Sequence, residues 1–214
     1  MGGERAKALG EELGRIDKPS VESFGEERKL FVVPLLFCGD DAPAEYLEKY
    51  ELYWQQVGEH VARLEESLGR VQRVYHESLA SGGDEGLAVL EKLNAGGCGI
   101  AREKCRNGAL LEATEDRDLA EESMDWERCL LLGFMSQKVA RAVSDYYVEA
   151  SGRRYEHIAR RIDETLGAGE KAILFIGEGH RIQFPRDMQI FSVSPPALDQ
   201  IHRWLRQRFE AKAE

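Results

Sequence analysis

The feature that most constrains the fold of this chain is an uninterrupted apolar run, AILFI, at residues 172–176. It lies between Lys171 and Gly177, is too short for a typical helix and is apolar at every position. Such runs are typical of strands that are buried on both faces, as in the parallel sheets of α/β proteins. A second run covers residues 30–38, where Pro34 requires a sheet edge or an irregularity.

The rest of the chain alternates strand-like and helix-like segments. We predict strands at 30–38, 71–77, 109–113, 171–177 and 188–193, and helices at 43–68, 87–93, 118–150, 153–166 and 196–209, with a loop at 94–97. The segment 109–113 fits a helix nearly as well as a strand. This alternation predicts an α/β fold with a central mixed, mostly parallel sheet flanked by long helices. The short 177–188 connection suggests that the last two strands are antiparallel. We expect residues 29–214 to form a single α/β domain and residues 1–28 to form a loosely attached N-terminal arm.

Charge and cysteine usage restrict the classes of partner. The 214 residues include 29 Lys and Arg and 39 Asp and Glu, which gives a net charge of −10. This acidic balance argues against nucleic-acid and anionic-membrane partners. The four cysteines form no CxxC pair and are predicted to be free thiols, and we find neither a signal peptide nor a membrane-spanning run. We therefore expect a cytoplasmic protein.

Acidic residues or histidines follow each of the first four predicted strands. Because the carboxyl ends of parallel strands line one edge of a sheet, these side chains are expected to converge there. They are Asp40, Asp41, His76, Glu77, Glu115, Asp116, Glu178 and His180. Several carboxylates and imidazoles close together repel one another when charged, so such a cluster indicates either a bound cation or a role in proton transfer.

Each candidate also has a structural interpretation. Asp40 and Asp41 are suited to cap the next helix, and His76 with Glu77 to form a surface turn. Glu115 and Asp116 are typical of a solvated helix N-terminus. The basic cluster that contains Arg154 is typical of a solvated helix face. Gly177-Glu178-Gly179-His180 is the segment that most favours function, because two glycines after an apolar strand indicate a sharp turn or a close backbone approach.

The stretch 154–162 (RYEHIARRI), followed by 172–180 (AILFIGEGH), resembles the late motifs of the TraB/PrgY/TIKI group and the related ChaN and erythromycin-esterase-like proteins. In that group, a helix start with Arg-Asn precedes a strand that ends in Gly-x-x-His. Residues 36–41 (LFCGDD) echo 174–179 (LFIGEG), as a duplicated motif would. Ala42 stands where the group has its first histidine, and Tyr155 stands where it has asparagine.

The resemblance implies a metal-dependent or histidine-based hydrolase. His180, Glu178 and Glu77 would be catalytic, Arg154 would bind an anionic group of the substrate, and His76 with His180 would be the candidate ligands of a divalent metal ion. The substrate would be a small molecule or a peptide, and a homo-oligomer is compatible with the sequence. The missing first histidine favours the alternative, a noncatalytic ligand-binding or protein-interaction domain with a degenerate site.

Overall fold

The computed structural model describes residues 27–39 and 41–213, within which five strands form one sheet. They are β1 (Arg28–Pro34), β2 (Arg73–His76), β3 (Leu110–Leu111), β4 (Lys171–Ile176) and β5 (Met188–Ser192). Their order is β3-β2-β4-β1-β5, and every neighbouring pair is parallel. The predicted α/β fold is confirmed, with a sheet that is wholly rather than mostly parallel.

Helices cover both faces of this sheet. Those described are α1 (Ala44–Leu68), α2 (Gly83–Leu93), α3 (Ala95–Arg106), α4 (Arg117–Leu131), α5 (Gln137–Thr165) and α6 (Pro196–Ala213). On the first face, α1, α2, α3 and α6 pack around Phe31 and Phe175. On the second face, Ile158 and Ile162 of α5 pack on Leu174. The chain therefore has two apolar cores, one on each side of the sheet.

The predicted antiparallel pairing of the last two strands is wrong. β4 and β5 lie on opposite sides of β1, and each pairs with it in parallel. Residues 177–187 cross the second face without a helix, and Ile182 and Phe184 from this segment pack in the core there. An extended chain advances about 3.3 Å per residue, so this segment is long enough to return to the amino edge of the sheet. Pro34 ends β1, which explains how proline is tolerated in an interior strand.

The predicted loop at 94–97 is wrong because these residues begin α3. The side-chain oxygen of Asn94 accepts a hydrogen bond of 2.6 Å from the backbone N–H of Gly97 and caps the helix. A Cβ atom at Gly96 would lie 2.3 Å from the ring of Trp54. Glycine is therefore required here for close packing against α1, and its presence does not indicate a loop.

The predicted helix over 118–150 is two helices. α4 ends at Leu131, Gly133 adopts a left-handed φ of 71°, and α5 continues through Gly152 to Thr165 without the predicted break. α4 packs antiparallel to the first half of α5, where Trp126 stacks on Tyr146. The apolar residues of this α4–α5 hairpin, predicted to face inward, are only partly covered or exposed, because no other described element packs on them.

Cys98, Cys105 and Cys129 are free thiols, as predicted. None of the helices in residues 27–39 and 41–213 is both long enough and apolar enough to span a bilayer. Of the predicted N-terminal arm, residues 1–26 lie outside the described residues, and Asp40 does as well.

Candidate functional site

The segments that follow β1 and β4 leave the sheet toward opposite faces. β1 leads into α1 on the first face, whereas β4 leads into residues 177–187 on the second face. Because the two strands are neighbours, this divergence opens a crevice at their carboxyl ends, where ligands usually bind in parallel α/β sheets. A cleft of about 170 Å³ lies there.

Polar side chains from the strand ends line this cleft. Its lining residues are Val32, Pro34, Ile176, Glu178, His180, Ser192 and Ser194. The hydroxyl oxygens of Ser192 and Ser194 lie 3.0 Å apart. Oε2 of Glu178 lies 2.7 Å from Nε2 of His202 on α6. The cleft therefore combines an imidazole, a carboxylate and two hydroxyls with an apolar wall.

His180 is held at the cleft by a turn. Its backbone N–H donates a hydrogen bond of 3.1 Å to the carbonyl of Gly177, and its ring packs edge-on against Phe184. Nδ1 is buried and has no hydrogen-bond partner in the described part of the chain. Burial lowers the pKa of His180, so the imidazole is uncharged at neutral pH and has a lone pair that can accept a proton.

Glu77 binds the same turn from the neighbouring strand. Its Oε1 accepts a hydrogen bond of 3.0 Å from the backbone N–H of Gly177, and its own N–H donates to the carbonyl of Phe175 at 3.0 Å. Gly177 in turn accepts the hydrogen bond from His180. The carboxylate of Glu77 is therefore connected to His180 through the backbone of one glycine.

Arg154 of α5 lies between two buried carboxylates at this edge of the sheet. Its Nε donates to Oε1 of Glu115 at 2.8 Å, and Nη2 donates to the same oxygen. Nη2 also donates to the carbonyl of Glu77 at 3.2 Å and lies 3.7 Å from Oε2 of Glu77. The side chains of Arg154, Glu77 and Glu115 are 16%, 14% and 2% exposed. One guanidinium group therefore balances two carboxylates that have little contact with water.

Glu115 was among the strand-end candidates, but the sequence favoured a solvated helix N-terminus for it. That interpretation holds for Asp116, whose side chain accepts a hydrogen bond from the N–H of Leu119 and caps α4. Glu115 instead points into the protein. Burial raises its pKa to about 7, and Arg154 acts in the opposite direction. Its position just after β3 was therefore the more informative signal.

His76 is fully buried, not part of a surface turn. Its Nδ1 accepts a hydrogen bond of 3.1 Å from the N–H of Ser78, and its ring lies beside Phe175 on the first face. Nε2 has no partner among the described residues. Burial lowers the pKa of His76 to about 4, so this imidazole is neutral inside the protein.

The described side chains at this edge form no group that would hold a divalent metal ion through three or more ligands. Protein sites for such ions usually supply three or more ligating side chains. Residues 27–39 and 41–213 contain no such group of His, Cys, Asp and Glu. Nδ1 of His76 is engaged by Ser78, and Arg154 supplies positive charge beside Glu77 and Glu115.

The structure therefore divides the predicted site residues into three groups. Glu178 and His180 line the cleft. Glu77 and Arg154 lie beside the turn that carries them, and Arg154 is committed to two carboxylates of the chain itself. His76 is at the same edge, but its ring belongs to the first-face core.

Comparison of the chain with protein-family models, with curated proteins and with solved structures finds no match.

Proposed function

We propose that this chain is a hydrolase and that the cleft at the carboxyl ends of β1, β4 and β5 is its active site. The observation that carries the proposal is the position of His180. An uncharged imidazole lines a cleft where neighbouring parallel strands diverge, next to a carboxylate and two hydroxyls. This combination is characteristic of sites that perform general acid–base chemistry.

In this proposal His180 is the general base. It takes a proton from a water molecule whose oxygen bonds to the electrophilic centre of the substrate, and it returns the proton to the leaving group as the scissile bond breaks. Ser192 and Ser194 are placed to hydrogen-bond a substrate oxygen. Glu178 is held by His202 and lines the same cleft, where its carboxylate can accept a hydrogen bond from the attacking water or the substrate.

Glu77 and Arg154 act as positioning residues. The carboxylate of Glu77 accepts a hydrogen bond from the backbone of Gly177, and the carbonyl of Gly177 accepts one from the backbone of His180. The guanidinium group of Arg154 lies beside Glu77 and partly neutralises its negative charge. A buried carboxylate that binds a backbone N–H restricts the turn to one conformation. The backbone hydrogen bonds of this turn therefore keep His180 at the cleft.

The test is a hydrolysis screen with chromogenic carboxylic, phosphoric and glycosidic substrates. The wild type is compared with His180→Ala and with His60→Ala, which removes a histidine far along α1 from the cleft. We expect one substrate class to be cleaved, His180→Ala to lose about 100-fold or more in kcat/KM, and His60→Ala to keep full activity. Undiminished hydrolysis by His180→Ala would show that this histidine is not the base.

A noncatalytic ligand-binding domain is the second candidate, and the internal pairing of the charged groups favours it. Arg154 is paired with Glu115 and Glu77, and Glu178 is paired with His202. In this case the compounds of the screen would raise the melting temperature of the wild type without being consumed. His180→Ala would then weaken that thermal shift, because His180 lines the cleft.

A further inference from the structure

Helix α5 carries a stripe of charged residues that the proposed active site does not use. Lys138, Arg141, Asp145 and Glu149 follow one another at steps of three, four and four residues. At 3.6 residues per turn, their side chains lie on one side of the helix. All four are exposed, and none has an ion-pair partner in the described residues.

The order of these charges makes the stripe complementary to an antiparallel copy of itself. A two-fold axis between residues 143 and 144 places Lys138 of one copy opposite Glu149 of the other. The same axis places Asp145 one residue, about 1.5 Å, from the position opposite Arg141 and within reach of its side chain, and the symmetry repeats both pairs. Parallel alignment of two copies in register would instead bring like charges together, which disfavours association.

Two further surface features lie along α5: an exposed apolar tip just before the helix begins, and a groove beside its later part. Leu131, Leu132 and Met135, at the turn between α4 and α5, are 82%, 82% and 106% exposed. Farther along α5, a groove of about 330 Å³ separates the helix from the 177–187 segment. Tyr155, Gly152 and Gly179 are among the residues that line this groove. A cluster of exposed large apolar side chains marks a surface that contacts another molecule.

The alignment that pairs the charges also brings the tip toward the groove. The tip directly precedes α5 and the groove lies along the later part of this helix, so an antiparallel pair of α5 helices brings the tip of one copy close to the groove of the other. Gly152 has open space where a side chain would project. The charge pattern and the positions of the tip and the groove are separate observations, and both favour an antiparallel alignment.

We propose that two copies of this chain associate through antiparallel α5 helices, with the tip of each α4–α5 hairpin seated in the groove of the other copy. The arrangement is closed, because each copy uses the same surface and none is left for a third. It also covers apolar residues of the α4–α5 hairpin that the described part of the chain leaves exposed.

Sedimentation equilibrium of the full chain tests this proposal. The wild type is expected to be a dimer, and Lys138→Glu/Arg141→Glu is expected to weaken association about tenfold or more by replacing attraction with repulsion. Asp145→Lys/Glu149→Lys should do the same. A mixture of these two double variants should form a heterodimer, because one stripe is then wholly negative and the other wholly positive.

Lys92→Glu/Arg106→Glu is the matched control, since it makes the same change in net charge at exposed positions of α2 and α3. This control should remain dimeric. A monomeric wild type, or double variants that fail to associate when mixed, would overturn the proposed interface.

The apolar half of the interface has its own test. Gly152→Leu places a side chain in the groove without a clash in the folded chain, and Leu132→Ser removes an exposed apolar group from the tip. Each should shift the equilibrium toward monomer while the melting profile of the monomer stays cooperative. Unchanged dimerisation in both variants would show that the tip does not occupy the groove.

Discussion

Oε1 of Glu77 accepts a 3.0 Å hydrogen bond from the backbone N–H of Gly177 and so joins the ends of β2 and β4. The bond crosses between neighbouring parallel strands at the edge where their polar side chains collect. It gives a hydrogen-bond partner to the N–H of Gly177, which follows the last residue of β4. The hydrogen bond therefore holds the first residue of the turn that carries Glu178 and His180.

Replacing Glu77 should reveal the contribution of this bond. Glu77→Leu leaves the N–H of Gly177 without a partner and should lower the free energy of unfolding by about 1–3 kcal/mol. Glu77→Gln keeps an acceptor and removes a buried charge, so it should lower that free energy less. Urea unfolding of the three proteins measures the difference. Equal losses in the two variants would mean that the bond does not stabilise the turn.

Removing Arg154 should be among the most destabilising substitutions at this edge. Arg154→Met leaves Glu115 and Glu77 buried without their cation, which typically costs about 3–5 kcal/mol. Glu115→Gln added to the same chain should recover part of the loss, because it removes one unpaired charge. Arg153→Met is the matched control, since Arg153 is exposed and pairs with Glu122 at the surface. It should cost less than about 1 kcal/mol, and a similar loss in both single variants would contradict the buried ion cluster.

Glu115 should make the stability of the protein depend on pH near neutrality. Its pKa in the folded state is about 7, above the ordinary value of 4.5, so the folded state binds this proton more tightly than the unfolded state. The resulting stabilisation is complete below the ordinary pKa and is lost as the pH rises through about 7. Between about pH 5 and about pH 8, the wild type should therefore lose stability relative to Glu115→Gln.

Urea unfolding of the wild type and Glu115→Gln at both pH values measures this effect. His76 acts in the opposite sense below its ordinary pKa, because its folded-state pKa is lowered to about 4. It is present in both proteins, so its effect cancels in their difference. Parallel pH profiles would show that Glu115 is not protonated in the folded state near neutrality.

Trp54 should be one of the most stabilising side chains of the first-face core. It is 6% exposed and packs beside Tyr53 and Phe175. Trp54→Ala should lower the free energy of unfolding by about 3–5 kcal/mol, the usual range for a large buried aromatic residue. A loss below about 1 kcal/mol in chemical unfolding would show that this helix face is not packed.

His180→Ala should leave stability nearly unchanged. The side chain is only half-buried, and its Nδ1 has no hydrogen-bond partner in the described residues, so truncation breaks no side-chain hydrogen bond. Thermal unfolding of wild type and variant measures the change. A loss of about 1–3 kcal/mol would instead identify His180 as a structural residue of the turn.

Local patterns were sufficient to locate most elements of the fold. The steps between Tyr46, Tyr50, Trp54 and Val57 predict α1, where Trp54 and Val57 are buried and the two tyrosines are partly covered. The apolar run at residues 172–176 predicts β4, which is buried on both faces. These predictions succeed because the periodicity of apolar residues follows directly from which side of an element meets the core.

The predictions that failed depend on contacts between residues that are distant in sequence. Gly96 and Gly152 look alike as helix breakers, yet both lie inside helices. At Gly96 the reason is the ring of Trp54, which leaves no room for a side chain. The parallel direction of β5 likewise could not be predicted from the neighbouring residues, because it depends on pairing with β1, which lies far earlier in the chain.

The sequence by itself determined that polar residues would follow apolar strands, and it therefore located Glu77, Glu178 and His180 at one edge of the sheet. Only the tertiary structure decided their roles, since those depend on neighbours from other elements. Arg154 of α5 joins Glu77 to Glu115, and α6 brings His202 to Glu178. The pKa of a carboxyl group or an imidazole responds to burial and to the nearest charges, which packing brings together from distant parts of the chain.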